Sequence, residues 1–400
     1  VEFFSADNIF IPFPAVVINH QGKSFFNMVH AYNRVLNDVF EDDAINGNPV
    51  AEASLDVEID EQTDTFILFS AGEQDVKSAI EIELATPDFV KQKVLPVILP
   101  RFGHKLIKLG THTKQNVAGG VLKIRPPKQS MFYGRIFSGR VTNDGSFSAN
   151  HSFYDSSTVE EYWSNGDASS RLYPFDITAK NIVRIYPIMS PSELDFSIEY
   201  MGFNGATLGC SRIGLLKSPS SHFIDICVNE FVLSAGLSVQ EIGAFYLTAQ
   251  PVSGNTPTRV NHQLVYSMGG LDCSLNVSLV SPNLFKPKSK KGFAWGQIPL
   301  SREMDSVLHI LMQVPQPDPV DVVVTLYGGS GEVCKERKTL VGGQCLTIRS
   351  PALIDMFDTN FDPEVPGNHW FTVNSECPSL SAYTVVVNRL SGHATGEHSF

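Results

Sequence analysis

The chain has 400 residues, 42% of them hydrophobic and only 18% charged, with 30 Lys and Arg against 42 Asp and Glu and a formal net charge of −12. The charged share lies below the roughly 25% of an ordinary soluble domain, which fits a protein that buries surface against other chains, and the acidic balance opposes a sequence-independent grip on nucleic acid. No apolar run approaches the roughly 20 residues that cross a bilayer as a helix, so no membrane span is expected.

The composition, with 27 Phe, 30 Gly and 24 Pro, favours turn-rich β-sandwiches over helical bundles. The start at Val1-Glu2 is expected to mark either a cleavage site in a longer precursor or a truncation. After Pro12-Phe13-Pro14, the run Ala15 to Ile18 is strand-like. Phe25, Met28, Val29, Tyr32, Leu36 and Val39 then recur at helical spacing and predict an amphipathic helix over 24–40, closed by Glu41-Asp42-Asp43 and the turn around Asn46-Gly47-Asn48-Pro49. A second short helix is predicted near Asp88 to Val94, ended by Pro96 and Pro100. Residues 181–188 predict one strand, and Leu194, Phe196, Ile198 and Tyr200 alternate as the next. Further strands are expected at 262–266, 273–280, 295–300, 307–314 and 320–327, with the Pro-rich 315–319 as a loop. The tail is strand-like at 344–348, 369–373 and 382–387.

No catalytic, cofactor or metal site emerges. Gln21-Gly22-Lys23-Ser24 stands between a strand and the predicted helix as a phosphate-binding loop does, but Val17 occupies the place of the first glycine, so a turn with Ser24 as helix cap is the favoured reading. Gly328-Gly329-Ser330-Gly331 fails the nucleophile-elbow pattern at Glu332. The eleven histidines show no zinc spacing; His104 and His112 are candidates to approach across strands, and His309 has the alternation of a half-buried strand residue. Glu41/Asp42/Asp43 and Asp60/Glu61/Asp64 lack the calcium-loop pattern and predict solvated acidic loops. The six cysteines (Cys210, Cys227, Cys273, Cys334, Cys345, Cys377) are expected to be free and mostly buried in a reducing compartment. Lys286, Lys288, Lys290 and Lys291 form a short basic run best read as a solvated loop. Asn150 and Asn276 stand in glycosylation triplets, the second inside a predicted strand.

From about Ile182 to Val333 the order of features resembles the jelly-roll capsid proteins of picorna-like viruses. Three passages carry the resemblance. Pro191 to Tyr200 with Ser211 to Leu216 looks like a central strand pair; Leu275 to Pro282 is similar to a strand ending at a Ser-Pro; and Gly296–Leu300, Val307–Val314 and Val320–Tyr327 look like closing strands. The resemblance implies an all-β-dominated fold, an eight-stranded antiparallel jelly-roll sandwich with N- and C-terminal extensions, two tandem jelly rolls being the alternative. The implied division is an N-terminal arm or extra β domain over 1–125, the jelly roll over 126–335 and a C-terminal β extension or projection over 336–400. It implies a non-enzymatic, self-assembling subunit of an icosahedral shell with no cofactor. The partners it implies are other capsid subunits, with genomic RNA on the inner face and a host receptor as further candidates, and the location is the virion and, during assembly, the host cytoplasm. A non-viral carbohydrate-binding or adhesive sandwich is the competing reading, with Trp163, Trp295 and Trp370 as the candidate exposed aromatics.

Overall fold

Buried and partly exposed side chains alternate through Thr63–Ser70 and through most of Leu194–Gly202, as strands with one face on a core require. The computed structural model describes residues 15–32, 52–54, 57–71, 75–86, 88–113, 115–125, 136–154, 163–164, 166–185, 192–216, 224–257, 259–280, 291–313, 318–329, 331–357 and 369–399. Over these residues the chain is all-β, built of antiparallel sheets, with two short α-helices at Val228–Ser234 and Ser350–Phe357. No helix among the described residues is long and apolar enough to cross a membrane.

Six of the sheets associate in pairs, each pair enclosing a core, and the same strand order appears in all three pairs. The first sandwich uses, in chain order, Glu52–Ser54, Thr63–Ser70, Val76–Ala85, Val90–Leu99, His104–Lys108, Val121–Arg125, Phe137–Thr142 and Phe147–His151. Numbered one to eight, these form one sheet in the order 1-6-3-4 and another in the order 5-2-7-8, with Phe153–Tyr154 added beside strand 1. The second uses Ser169–Pro174, Lys180–Ile185, Leu194–Gly202, Thr207–Leu216, Ile224–Cys227, Ile242–Pro251, Arg259–Ser267 and Cys273–Val280, again as 1-6-3-4 and 5-2-7-8. The third uses Gly292–Gln297, Met304–Met312, Val320–Gly328, Gly331–Leu340, Cys345–Arg349, Trp370–Ser375, Leu380–Asn388 and Ala394–His398 in that order once more.

Each core draws on both of its sheets. In the first sandwich Ile80, Val97 and Leu122 meet Ile67 and Phe69; in the second Phe196, Ile198 and Phe245 meet Val183, Leu264 and Leu275; in the third Val322, Val324 and Phe371 meet Leu308, Ile310 and Ala382. Burying a side chain such as Phe196 fully contributes roughly 1.5–3 kcal/mol. By packing, the chain falls into two units, one holding the first sandwich and the other the second and third.

Several expectations are corrected here. The helix over 24–40 is replaced at Phe26–Tyr32 by a strand, paired with Ala15–Gln21 through a tight turn in which Gly22 N–H donates to the Phe25 carbonyl. Phe26 to His30 are five consecutive buried residues. A strand covered on both faces loses its alternation and can imitate a helical period. Residues 33–51, including the acidic cluster at 41–43, lie outside the described residues. The short helix near Asp88 to Val94 is instead the edge strand Val90–Leu99, which accommodates Pro96 because an edge strand leaves one side of its backbone unpaired.

The single sandwich expected over 126–335 does not match the sheets. Residues 137–151 complete the first sandwich, 169–280 form the second, and position 336 falls within Gly331–Leu340 of the third. The passages taken as closing strands of one barrel therefore belong to a sandwich separate from that of Leu194–Gly202. Local alternation records that a strand has a buried face but not which sheet it joins.

Candidate functional site: a buried Cys–His–Asp cluster and an aromatic sheet face

Within the second unit, the second and third sandwiches meet through partly buried polar groups. The Gln313 side chain accepts from Leu172 N–H (2.9 Å) and donates both to the Leu172 carbonyl (2.9 Å) and to Ser381 Oγ (2.6 Å). Tyr246 Oη donates to the Gln313 carbonyl at 3.0 Å, and Gln344 Nε2 to the Phe203 carbonyl at 2.9 Å. The two backbones also approach closely: a Cβ on Gly270 would lie 2.5 Å from the carbonyl carbon of Gly392, so glycine is required there. Leu271 N–H donates to His393 Nδ1 at 2.8 Å beside this contact.

At the junction lies a constellation that looks like a nucleophile, base and orienting acid. Cys345 Sγ stands 3.9 Å from His309 Nδ1, and His309 Nε2 stands 3.9 Å from Asp176 Oδ2. His309 and Cys345 are brought together by adjacent antiparallel strands of the third sandwich, whereas Asp176 follows the first strand of the second. His309 Nδ1 pairs with Thr347 Oγ1 at 3.0 Å, and Arg349 Nη2 donates to Asp176 Oδ1 at 2.8 Å. Asp176 Oδ1 also accepts from Thr178 N–H (2.8 Å) and Oγ1 (2.6 Å).

Electrostatics argue against catalysis. Asp176 and His309 are fully buried and Cys345 is 4% exposed, so no path for substrate is present among these side chains. Burial pushes the Cys345 thiol up to about 12 despite its hydrogen bond to Thr347, which removes the thiolate that nucleophilic attack needs. Burial pushes His309 down to about 4, with Asp176 pulling it upward and Arg349 pressing it lower. For Asp176, burial by itself raises the carboxyl; His309, Thr178 and Arg349 outweigh it and hold the group below its ordinary range. The cluster is a structural junction. Native-state thiol labelling is expected to modify exposed Cys210 first and to reach Cys345 only after unfolding; rapid labelling of Cys345 in the native protein would restore a catalytic reading.

The remaining predicted positions divide plainly. Gly22-Lys23-Ser24 forms the hairpin turn described above, so Ser24 caps no helix; its carbonyl accepts from Ser391 Oγ. Asp60 Oδ1 accepts from Gln62 and Thr63 N–H, and Asp64 Oδ1 from Gly110 N–H, so these carboxylates stabilise turns. His112 pairs with Lys93 Nζ at 3.0 Å, and His309 is fully buried where half-burial was expected. All six cysteines are free, with Cys273, Cys345 and Cys377 buried. Asn276 is 5% exposed and accepts from Gln263 Nε2, which disqualifies it as a glycan acceptor in the folded chain. Ser330 and Lys286, Lys288 and Lys290 lie outside the described residues, while Lys291 pairs with Glu376 at 3.0 Å.

Two of the three tryptophans share one outward face. In the third sandwich, Phe293, Trp295, Trp370 and Tyr327 alternate with buried Ala294, Phe371 and Leu326, and cross-strand register sets Trp370 opposite Tyr327. Their rings stack with centroids 3.9 Å apart and planes at 10°, and Phe293 is 56% and Trp370 39% exposed. Trp163 lies in a two-residue ladder with Thr256–Pro257.

No family model matches the chain, and no curated protein is similar to it in sequence. Among solved structures, the tetra-tandem repeat from the extending region of a large adhesion protein aligns at 7% identity over 83% of this chain and 69% of its own, with a TM-score of 0.11. The M60 catalytic domain with the CBM51-1 and CBM51-2 domains of Clostridium perfringens ZmpB aligns at 7% identity over 93% of this chain, with a TM-score of 0.15. The alignment spans 53% of that second structure. Both superpositions are too loose to carry an argument about this protein.

Proposed function

We propose that the chain is a structural subunit of an icosahedral virus capsid, composed of three jelly-roll sandwiches. The observation that supports this reading is the strand order 1-6-3-4 facing 5-2-7-8, repeated three times. A jelly roll numbered from its second strand has this order, with its first strand at the edge beside the last. Here the eighth strand occupies that edge, so each sandwich is a circularly permuted jelly roll. Such sandwiches tile shells because they are rigid and carry variable loops at their ends.

In this reading the subunit is not an enzyme. It associates with further capsid subunits, encloses an RNA genome, presents loops to a receptor and resides in the virion after assembly in the host cytoplasm. Closed association of many copies under symmetry would supply the cooperativity of the shell. The test is sedimentation and negative-stain microscopy of the expressed chain. Closed particles are the expected result, and a monomer under every condition would overturn the proposal.

A second reading, binding of glycans by an adhesive β protein, is favoured by the aromatic face around Trp370 and Tyr327. Aromatic side chains on a rigid sheet offer apolar faces to sugar rings. A glycan array that detects binding abolished by Trp370→Ala, in a chain that never assembles, would favour it.

A further inference from the structure

The first sandwich carries a cleft of about 390 Å³ that neither reading of function uses. It lies between the two strands that end its sheets, Val90–Leu99 and His104–Lys108. Leu95, Pro96, Leu106 and Ile107 give it apolar walls, Leu95 and Ile107 from the core side and Leu106 from the solvent side.

Two polar contacts fix ammonium groups at this cleft. Lys105, partly buried, donates from Nζ to the Pro96 carbonyl at 2.7 Å across the two strands, and an ammonium has further N–H donors to offer. Lys93 Nζ lies 3.0 Å from Nδ1 of His112, which lines the cleft. Since an ammonium only donates, Nδ1 accepts, and the neutral ring carries its proton on Nε2 as one more donor. Burial and the charges of Lys93, Lys105 and Lys91 hold His112 below its ordinary pKa against the pull of Asp64, so the ring stays neutral at neutral pH. No Asp or Glu occurs over residues 89–115. Among the described residues none of Lys91, Lys93, Lys105 and Lys108 forms an ion pair. Positive charge without a counter-charge beside low-dielectric walls concentrates anions.

We infer that this cleft binds a small organic anion, with its oxyanion head on Lys93, Lys105 and His112 and its apolar body against Leu95, Leu106 and Ile107. The cleft has the size of a small-molecule site, and apolar walls with a few convergent donors are the usual construction of one. Ammonium groups form charge-assisted hydrogen bonds with phosphate or carboxylate oxygens, which are stronger than neutral ones. A nucleic-acid backbone would meet the cations but leave the apolar walls in water. Every group named belongs to the first sandwich, so binding does not depend on self-assembly.

The experiment titrates the full chain with phenyl phosphate, inorganic phosphate and phenol, read by ligand-observed NMR. Phenyl phosphate is expected to bind most tightly and to weaken with salt. Lys93→Met and Lys105→Met are each expected to weaken it about tenfold, one power of ten in Kd, while Lys77→Met, an exposed lysine away from the cleft, leaves it unchanged. Leu106→Ser is expected to weaken phenyl phosphate and to leave inorganic phosphate as it was. In the wild type, which needs no variant to fold, phenyl phosphate is expected to raise the His112 pKa, because a nearby anion favours the imidazolium. No saturable binding, phenyl phosphate no tighter than inorganic phosphate, or equal losses in Lys77→Met and Lys93→Met would each overturn the site. A single-stranded RNA probe that binds more tightly than phenyl phosphate and is lost in the same two variants would assign the cleft to nucleic acid and overturn it as well.

Discussion

Replacing Asp176 by Ala is expected to lower the stability of the second unit by about 3–5 kcal/mol, the range for removing one member of a buried ion pair. The carboxylate is fully buried and accepts from Thr178 N–H, Thr178 Oγ1 and Arg349 Nη2. Its loss strands a partly buried guanidinium and removes a contact that ties the second sandwich to the third. Asp176→Asn keeps an acceptor and is expected to cost less. A double-mutant cycle with Arg349→Met, read by urea unfolding, is expected to give a coupling of roughly 0.5–3 kcal/mol. Additive losses would mean that the 2.8 Å pair contributes nothing as a pair.

Acid is expected to destabilise the same unit, beginning near pH 6.5. His309 is held at about 4 and His262 at about 3, in both cases chiefly by burial; Arg349 lowers the first and Arg171 the second, while Asp176 and the Val260 carbonyl pull the other way. An unfolded histidine titrates near 6.5, so below that pH the unfolded chain binds more protons than the folded one. Stability is therefore full above about pH 6.5 and is lost as the pH falls toward the folded values. Each histidine contributes on the order of 3–5 kcal/mol by this linkage. Asp176, lowered from its ordinary value, adds a loss of the same sign at still lower pH. Thermal unfolding between pH 8 and 4 checks this, and His309→Gln is expected to flatten the dependence. A transition temperature that stays level through this range would refute it.

The individual strands were legible because their chemistry is local. Leu194, Phe196, Ile198 and Tyr200 point into one core in the folded chain as their alternation predicts. The strand expected at 273–280 is present with those bounds, and those expected around 181–188, 262–266, 307–314, 320–327 and 382–387 are present with shifted ends. The N-terminal segment was misread because a strand buried on both faces has no period of two. Val90–Leu99 was misread because its first five residues are all exposed and carry no alternation.

The candidate sites were less legible still. Cys345 lies 36 residues from His309, and Asp176 lies in another sandwich, so no spacing motif connects them. Their burial, which pushes the Cys345 thiol pKa upward, is a property of the packed junction. Trp295 and Trp370 became one surface only through the register of their strands.

By itself the sequence determined the β character of this protein and most of its strands, because side-chain period and turn chemistry act over a few residues. Only the tertiary structure decided that the strands divide among three sandwiches of one order and that a Cys–His–Asp cluster is sealed in a junction. Those outcomes depend on pairing between residues distant in the chain, where register and burial are set by the whole fold rather than by neighbours in sequence.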